Sequence, residues 1–353
     1  MPVTLASIPD LARLGVDTII DVRSPAEYAE DHVPGAINLP VLDDEERARV
    51  GTIYKQQSPF LARKIGAALV ARNAAAHLEG ALADKGGGWR PLVYCWRGGQ
   101  RSGSFSTILG QVGWRSDTIE GGYKTWRRLV VDITHDLPFT APVVVLDGNT
   151  GSAKTEVLAR AAARGAQVID LEGLANHRGS LFGAMPGGQP SQKAFEGRLA
   201  VAMAGIDPTR PVLVEAESNR IGRVTVPKAL WLAMVAAPRV TIEAPLAARA
   251  DYLAAAYADL TADPAALAAV VDKLRPFHAR EVIERWQGMA GAGAFAALAG
   301  ELMAAHYDPR YGKARAKYGP EREQVVQAAA LDAAGLDRLA DAVMAAVGRL
   351  IPR

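Results

Sequence analysis

One cysteine stands in a loop whose composition suits a reactive thiolate. Cys95 is the only cysteine in 353 residues, and it follows an apolar run at 92–94 that predicts a buried strand. The next residues are Trp96, Arg97, Gly98, Gly99, Gln100 and Arg101, and Ser102 stands at the expected start of a helix. Arginines and a helix N-terminus lower a thiol pKa from its usual value of about 8.5, and paired glycines let backbone N–H groups face an anion. The loop therefore predicts a nucleophilic thiolate beside an oxyanion. A buried structural cysteine, the alternative, would not require this basic and glycine-rich setting.

A second loop has the composition of a phosphate-binding loop. It consists of Gly148, Asn149, Thr150, Gly151, Ser152, Ala153, Lys154 and Thr155. The loop lies between an apolar strand at 143–146 and an Ala/Leu-rich helix, which is the context that a P-loop requires. Lys154 and the backbone N–H groups suit a di- or triphosphate, and the Thr155 hydroxyl is a candidate ligand for magnesium. Ala153 replaces the last glycine of the pattern, which is unfavourable if that position needs positive φ. The alternative is a turn without function.

Polar clusters follow two further apolar runs of the second half. Strands are predicted at 167–170, 211–215 and 239–242, separated by helical stretches, which indicates a mostly parallel sheet covered on both faces. Ligands of such sheets bind beyond the carboxyl ends of the strands. The candidate site residues there are Asp170, Glu172, Asn176, His177, Arg178, Glu215, Glu217 and Arg220. Asp170 or Glu215 could bind a metal or a water, while helix caps and solvated turns are the alternative.

Length and composition indicate two α/β domains of an ordinary soluble protein. A chain of 353 residues exceeds one core, so we expect a first domain at 1–133, a linker at 134–142 that contains Pro138 and Pro142, and a second domain at 143–353 with a helical C-terminal extension. The single cysteine, the lack of a signal-peptide pattern and the lack of a long apolar run favour a cytoplasmic protein that does not enter a membrane. The net charge of +2 means that any nucleic-acid surface must be local.

Three motifs of the first half resemble those of rhodanese domains, in the same order. They are Asp21-Val22-Arg23 with the stretch 32–40, the Cys95 loop, and residues 120–126. The resemblance implies an α/β domain that is held together by polar contacts of Asp21, Arg23 and His32. Five residues separate Cys95 from Arg101, one more than in the usual sulfurtransferase loop. Cysteine phosphatases of the same fold share the longer spacing, which favours a tetrahedral oxyanion over plain sulfur transfer.

The combination of both loops is similar to the tRNA 2-selenouridine synthase family. The specific strings are residues 170–180, 192–196 and 306–309, and the resemblance extends over about 19–311. It implies a transferase that acts on wobble 2-thiouridine in the anticodon of certain tRNAs. The sulfur is first geranylated from geranyl diphosphate, and selenium from selenophosphate then replaces the geranylthio group.

The resemblance also assigns roles to the two loops. Residues 148–155 would bind the geranyl diphosphate, with Lys154 as a catalytic cation. Residues 95–101 would hold selenophosphate or a selenium adduct on Cys95, the second catalytic residue. No tightly bound cofactor is expected, and magnesium is a candidate. The role of the insertion at 42–91 stays open.

Other functions fit parts of this sequence. A sulfurtransferase or a Cys-dependent phosphatase fused to a small-molecule kinase is one alternative, and a non-catalytic tRNA-binding regulator is another. Basic residues alternate with aromatic ones near the C-terminal end, a pattern that suits RNA as well as a solvated helix face. These residues are Tyr307, Arg310, Tyr311, Lys313, Arg315, Lys317 and Tyr318.

Overall fold

A computed structural model describes residues 1–315 and 322–351 of the chain. These residues form two compact units. The first unit consists of Met1–Pro138 with Pro190–Gly205, and the second of Phe139–Gln189 with Ile206–Arg353.

The two units differ from the predicted domains in one internal segment. Residues 190–205 pack with the first unit, although the chain on both sides of them belongs to the second. The helical backbone also continues through Asp136, so the connection is shorter than the predicted linker at 134–142. Neither feature leaves a local signal in the sequence, because both depend on contacts between distant segments.

Twelve β-strands occur in the described part of the chain. In chain order they are β1 (Pro2–Val3), β2 (Thr18–Asp21), β3 (Ile37–Asn38), β4 (Pro91–Tyr94), β5 (Asp117–Ile119), β6 (Val143–Gly148), β7 (Gln167–Ile169), β8 (Val212–Glu215), β9 (Arg220–Ile221), β10 (Val224–Thr225), β11 (Arg239–Glu243) and β12 (Glu323–Gln327). The predicted strands of both halves are confirmed to within one or two residues at each end.

Helices connect almost all of these strands. In chain order they are α1 (Asp10–Arg13), α2 (Pro25–Glu30), α3 (Asp44–Gln56), α4 (Pro59–Glu79), α5 (Gln100–Val112), α6 (Tyr123–Val131), α7 (Lys154–Ala163), α8 (Leu171–Ala175), α9 (Gln192–Ala204), α10 (Lys228–Ala236), α11 (Leu246–Ala256), α12 (Ala258–Thr261), α13 (Pro264–Asp272), α14 (Arg280–Gly291), α15 (Phe295–Leu302), α16 (Asp308–Arg315) and α17 (Ala333–Leu350). Two π-helical turns, Asp132–Asp136 and Met303–Tyr307, continue α6 and α15. No helix among the described residues combines the length and apolarity needed to span a bilayer.

The first unit is built on a parallel sheet with the strand order β1-β5-β4-β2-β3. Its central strand β4 is buried along its whole length, as the continuous apolar run predicts. Successive side chains of a strand point to opposite faces, so Val93 packs in one core cluster while Leu92 and Tyr94 pack in another. This sheet places Cys95 at the carboxyl end of its central strand.

The second unit repeats the arrangement with the strand order β12-β11-β6-β8-β7, again all parallel. Its central strand β6 is buried throughout, and α7 and α17 cover one face through a common apolar cluster. β12 is an edge strand inside a region that we predicted to be helical. Its sequence, Glu-Gln-Val-Val-Gln, is too polar to stand out as a buried run. The predicted α/β fold class is confirmed for both units.

A group of helices adds a second apolar core to this unit. Helices α13, α14 and α15 pack around the fully buried Trp286, with Phe182 from the segment after α8. The helical extension is therefore a packed structure rather than a set of solvated helices.

Candidate functional site

The Cys95 loop has the geometry of a thiolate site. The Cys95 side chain is 4% exposed, and its Sγ accepts a hydrogen bond from the Ser102 hydroxyl at 3.2 Å. Burial opposes ionisation of Cys95, but the Ser102 hydroxyl, backbone N–H groups and the Arg101 charge outweigh it and lower the pKa of the thiol. Ser102 lies in the first turn of α5, two residues after the helix begins. The sequence predicted its proximity to the helix start, but not its contact with the sulfur.

The two arginines of the loop differ in their surroundings. Arg101 donates from Nη1 to Glu27 Oε2 at 2.8 Å, and the same carboxylate oxygen accepts from the Ser24 backbone N–H at 3.2 Å. Arg101 is thus held in place by the first turn of α2. Arg97 is exposed and is available to an approaching anion. Gln100 and Gly99 are also exposed at the start of α5, whereas Trp96 is half-buried and its ring lies 5.2 Å from that of Tyr123.

The motif at 120–126 holds the Cys95 loop through backbone hydrogen bonds. The backbone N–H of Tyr123 donates to the Cys95 carbonyl at 2.8 Å, and that of Lys124 donates to the Trp96 carbonyl at 3.2 Å. Gly122 has φ +61°, and a Cβ there would lie 2.2 Å from the Cys95 carbonyl oxygen. The motif therefore serves to fix the backbone of the Cys95 loop, and only glycine fits at this position.

The predicted structural role of Asp21, Arg23 and His32 is confirmed. Arg23 and Asp21 are both buried and form an ion pair with a closest distance of 2.6 Å. The Arg23 guanidinium also lies 4.0 Å from the centre of the Tyr123 ring. His32 contacts the Tyr28 carbonyl through Nδ1 at 2.9 Å and stacks on the Tyr28 ring. These contacts join the segments on which the Cys95 loop rests.

The insertion at 42–91 forms one wall of a cavity beside this loop. The cavity of about 730 Å³ is lined by Leu42, Val50, Tyr54, Ala62, Arg63, Gly66, Ala67, Val70, Gln100, Arg101 and Ser104. Helices α3 and α4 supply most of the wall, and α5 supplies the rest. An exposed aromatic side chain, Tyr54, and a cation, Arg63, therefore stand in the same cavity as Arg101. Sequence analysis missed this cavity because it forms only when the two helices pack against α5.

The loop at 148–155 has the form of a P-loop between β6 and α7. The Lys154 ammonium donates to the Gly148 carbonyl at 2.8 Å and lies 5.8 Å from the centre of the Tyr311 ring. Burial opposes the charge of Lys154, but Tyr311, Glu172 and Glu217 favour it, so its pKa is raised. Because α7 begins at Lys154, the N–H groups of its first turn have no acceptor within the helix.

Ala153 has the positive φ that its position in the pattern suggested. Its backbone is left-handed, with φ 59° and ψ 30°, and its side chain is buried. Gly148 and Gly151 also have positive φ, at 159° and 79°. The backbone bends back on itself at this loop, and Ala153 alone among these three carries the strain of a Cβ.

Carboxylates from two strand ends face the P-loop. Glu172 accepts a hydrogen bond from the Thr155 hydroxyl at 3.2 Å, and Glu215 Oε1 accepts one from the Glu172 backbone N–H. Glu172 and Glu217 share a side-chain hydrogen bond. Burial and the neighbouring charge of Glu172 raise the pKa of Glu217 to about 8, while Glu172 has a raised pKa, chiefly through burial. Near neutral pH this pair therefore holds a proton.

These groups line one large pocket, which we call the phosphate pocket. With the space at its mouth that is open to solvent, its volume is about 1500 Å³. It is lined by residues 150–156, Leu158, Ala159, Val168, Asp170, Glu172, Gly173, Arg178, Gly179, Ser180, Met185, Glu217, Tyr252, Leu253, Ala256, Tyr257 and Tyr311. Four of the eight predicted cluster residues, namely Asp170, Glu172, Arg178 and Glu217, line it.

The other four predicted cluster residues lie outside the lining. Asn176 has positive φ and ends α8, and its amide donates to the Pro186 and Gly188 carbonyls at 2.9 Å. His177 and the fully buried Glu215 pack behind the pocket, where burial lowers the pKa of His177. Arg220 is exposed and bonds to the Gly222 carbonyl at 3.0 Å, so it takes no part in the pocket.

A buried ion pair fixes the P-loop from the other side. Arg249 is 6% exposed and binds Asp308 through two hydrogen bonds of 3.0 and 2.7 Å. Its Nη1 also donates to the Thr150 carbonyl at 3.1 Å. The string at 306–309 thus includes a residue that positions the P-loop, which is a role that its sequence did not reveal. His306, from the same string, lies 2.8 Å from His278, with Arg310 bonded to its ring.

The string at 192–196 belongs to the first unit rather than to the P-loop unit. Glu196 on α9 is 5% exposed, pairs with Arg127 and accepts from His135 at 3.2 Å. Sequence analysis placed it in the second domain by its position in the chain. For the basic and aromatic segment near the C-terminal end, Lys317 and Tyr318 lie outside the described residues, and its interpretation as an RNA contact stays a prediction.

The oxygen ligands at the P-loop fit magnesium bound together with a phosphate. Magnesium is usually held by one or two carboxylates, a hydroxyl and substrate phosphates rather than by an all-protein cage. Glu172 and Thr155, which contact each other, offer this donor set. The described residues contain no cluster of three or more acidic, histidine or cysteine side chains that could hold a metal ion.

Comparisons with known proteins match both halves of the chain to known domains. A family model described as the tRNA 2-selenouridine synthase AAA domain matches residues 141–269, and a rhodanese-like domain model matches residues 9–129. A rhodanese-related protein of Thermoplasma volcanium, of known crystal structure, is 19% identical, with a TM-score of 0.23, over 36% of this chain and 90% of its own.

Two curated relatives align with most of the chain. The tRNA 2-selenouridine synthase of Aeromonas salmonicida is 39% identical over 249 residues, which are 69% of this chain and 66% of that protein. The tRNA 2-selenouridine synthase of Alcanivorax borkumensis is 40% identical over 238 residues, 65% of this chain and 64% of the relative. The aligned region thus spans just under two thirds of each relative. With both domain models matched in order, this chain belongs to the tRNA 2-selenouridine synthase family.

Proposed function

We propose that this chain is a tRNA-modifying transferase that converts wobble 2-thiouridine to 2-selenouridine through an S-geranyl intermediate. The observation that carries the proposal is the presence of two different anion sites in one chain of this family. One is a loop around a thiol of lowered pKa, and the other is a P-loop that faces a protonated carboxyl pair. The first suits selenophosphate, and the second suits the diphosphate of geranyl diphosphate.

The first step takes place at the P-loop. The thiocarbonyl sulfur of the base attacks the allylic carbon of geranyl diphosphate, the carbon–oxygen bond breaks, and diphosphate leaves while the base loses its N3 proton. Lys154 and the N–H groups of α7 stabilise the charge that develops on the diphosphate. Magnesium, held by Thr155 and Glu172, would supply further positive charge to the leaving group.

The second step takes place at the Cys95 loop. Selenium of selenophosphate attacks carbon 2 of the base, the carbon–sulfur bond breaks, and geranylthiolate leaves. Water then cleaves the phosphorus–selenium bond, which releases phosphate and the 2-selenouridine. Arg97, Arg101 and the N–H groups of α5 hold the oxyanion, with the Cys95 sulfur beside it.

The base must leave the anticodon stack to reach either site, and single-stranded loops allow this. Tyr54 and Arg63, in the cavity beside the Cys95 loop, supply a stacking surface and a cation for such a base. The two helices of the insertion would then serve RNA binding.

The test uses a purified full-length chain and an anticodon stem-loop RNA that contains 2-thiouridine. With geranyl diphosphate alone, nucleoside mass spectrometry is expected to show S-geranyl-2-thiouridine; when selenophosphate is added, it is expected to show 2-selenouridine. ATP hydrolysis with a small acceptor in place of these products would support the kinase fusion. Binding of the RNA without any product would support a regulator.

A further inference from the structure

The second unit contains an apolar cavity next to the P-loop that the phosphate chemistry leaves unused. We call it the apolar chamber. With the space at its mouth that is open to solvent, its volume is about 540 Å³. It is lined by Thr150, Ser180, Phe182, Leu253, Ala254, Tyr257, Leu260, Thr261, Leu267, Phe295, Leu298, Ala299, Leu302, Met303 and Tyr307. Most of these residues come from α11, α12, α13, α15 and the π-helical turn after α15. Thr150 belongs to the P-loop, Ser180 and Phe182 to the segment after α8, and Tyr257 to the junction of α11 and α12.

The apolar chamber adjoins the phosphate pocket. Four residues, Thr150, Ser180, Leu253 and Tyr257, line both. Thr150 belongs to the P-loop itself, so the chamber begins where a bound diphosphate would end. A single ligand with a phosphate head and an attached body could therefore occupy both spaces.

Side-chain contacts also connect the wall of the chamber to the P-loop. Met303 is fully buried in the chamber wall, and its sulfur lies 3.3 Å from the point where a Cβ of Gly151 would stand. Arg249 links the Thr150 carbonyl to Asp308, which directly follows the π-helical turn of the chamber wall. The position of the chamber relative to the phosphate loop is thus fixed by contacts on two sides.

The chemistry of the wall selects the kind of body that fits. Of the fifteen lining residues, ten are aliphatic, phenylalanine or methionine, and the only polar group of the other five side chains is a hydroxyl. No side chain among them carries a charge or an amide group. A nucleoside would bury ring nitrogens, an exocyclic group and ribose hydroxyls among mostly apolar side chains, and each of these groups left without a hydrogen-bond partner is costly. A hydrocarbon chain loses nothing by entering.

We infer that the apolar chamber binds the hydrocarbon tail of a prenyl diphosphate and that it sets which chain length the enzyme accepts. This inference rests on the proposed function, because it assigns the tail of the donor whose diphosphate binds the P-loop. Leu267, Phe295 and Leu298, which do not line the phosphate pocket, form the part of the wall that meets the tail and pack against the helical core. Because these side chains are packed, the wall cannot move easily there, and the chamber does not extend to accommodate a longer tail.

Binding of inorganic diphosphate, dimethylallyl diphosphate, geranyl diphosphate and farnesyl diphosphate to the full-length protein tests the inference. Complete burial of one methylene group gives roughly a fourfold gain in affinity. Geranyl diphosphate, with five more carbons, is expected to bind at least about 100-fold more tightly than dimethylallyl diphosphate. Farnesyl diphosphate is expected to gain nothing further. Equal affinities for the three shorter probes would overturn the inference.

A matched pair of variants on one helix separates the chamber from general effects. Ala254 lines the chamber, whereas Ala255 is exposed and lines neither cavity. Ala254→Phe is expected to weaken geranyl diphosphate binding at least about tenfold, through loss of the tail contacts, and to leave inorganic diphosphate binding unchanged. Ala255→Phe is expected to change neither. Equal effects of both variants on both ligands would refute the chamber as the tail site.

The same measurements distinguish the two proposals. Tail-dependent binding without transfer of the geranyl group to thiouridine RNA would contradict the proposed function and leave the chamber assigned. Geranyl transfer that is insensitive to chain length and to Ala254→Phe would support the function and remove the chamber from it.

Discussion

At the scale of single residues, the left-handed backbone of Ala153 is a source of strain in the P-loop. A non-glycine residue in the left-handed conformation destabilises the folded state by about 1–2 kcal/mol. Glycine avoids this strain, but it makes the unfolded chain more flexible, which offsets part of the gain. Ala153→Gly is therefore expected to stabilise the protein by about 0.5–1 kcal/mol in urea unfolding. Ala162→Gly, at an exposed position of the same helix, is the control and should destabilise by about 1 kcal/mol. If both variants lose stability equally, the strain at Ala153 is refuted.

The protonated Glu217 gives the protein a characteristic pH dependence. Because its pKa in the folded state, about 8, exceeds that of an unfolded chain, the folded state binds the extra proton between about pH 4.5 and 8. The contribution of Glu217 to the free energy of unfolding is complete below pH 4.5 and is lost as the pH rises through 8. Glu217→Gln should remove this loss and gain stability relative to the wild type between pH 5.5 and 8.5, by on the order of 1 kcal/mol.

The control for this experiment is Glu281→Gln, at an exposed position on α14. It should leave the difference between pH 5.5 and 8.5 as in the wild type. If the free energy of unfolding of Glu217→Gln changes between pH 5.5 and 8.5 by as much as that of the wild type, Glu217 does not hold a proton.

At the scale of elements, the motif at 120–126 acts by holding another loop. Gly122→Ala would place a methyl group 2.2 Å from the Cys95 carbonyl oxygen, and the positive φ adds strain. We expect a loss of at least about 3 kcal/mol, or a displaced Cys95 loop with selenium incorporation reduced. Gly103→Ala on α5, where a Cβ would meet nothing within 4 Å, should instead gain up to about 1 kcal/mol. Thermal unfolding compares the two variants. Similar stabilities would contradict the role of Gly122 in holding the Cys95 loop.

Elements with a strong local signal were predictable, and those that depend on distant contacts were not. The buried runs at β4 and β6 are continuous and apolar, so both strands and the loops after them followed directly from the sequence. Ser24 at the N-cap and Pro25 at the first position of α2 are a comparable local signal, because both residue types favour a helix start. The membership of α9 in the first unit had no such signal, since it depends on Glu196 meeting Arg127.

The candidate site divides in the same way. Local pattern revealed Cys95, Lys154 and the glycines around them, because loop chemistry is encoded by neighbours in the chain. The hydrogen bond between Glu172 and Glu217 joins two strand ends, and the apolar chamber draws on residues from Thr150 to Tyr307. No spacing rule connects such positions until the sheet and helices assemble.

At the scale of the whole molecule, the two proposed anion sites belong to different units, so a substitution in one should leave the reaction at the other intact. Lys154→Ala is expected to slow single-turnover geranyl transfer about 100-fold or more, through the loss of one charge-stabilising contact. Cys95→Ser should leave geranyl transfer unchanged and abolish selenium incorporation from a pre-geranylated RNA. Each variant is the control for the other, measured by mass spectrometry of the same RNA. Loss of both reactions in both properly folded variants would contradict separate sites.

The place of α9 in the first unit has a consequence for protein synthesis. Residues up to 138 emerge first from the ribosome, but the partner of Arg127 on α9 follows only after residues 139–189, which belong to the other unit. At about 5–20 residues per second, the interval from residue 138 to 205 lasts about 3–13 s. Throughout that time the nascent first unit lacks the Glu196 carboxylate that pairs with Arg127 and the α9 residues that pack with Trp126. A pause or a truncation within this window would leave the thiol-bearing unit incomplete even though its own loop had already been made.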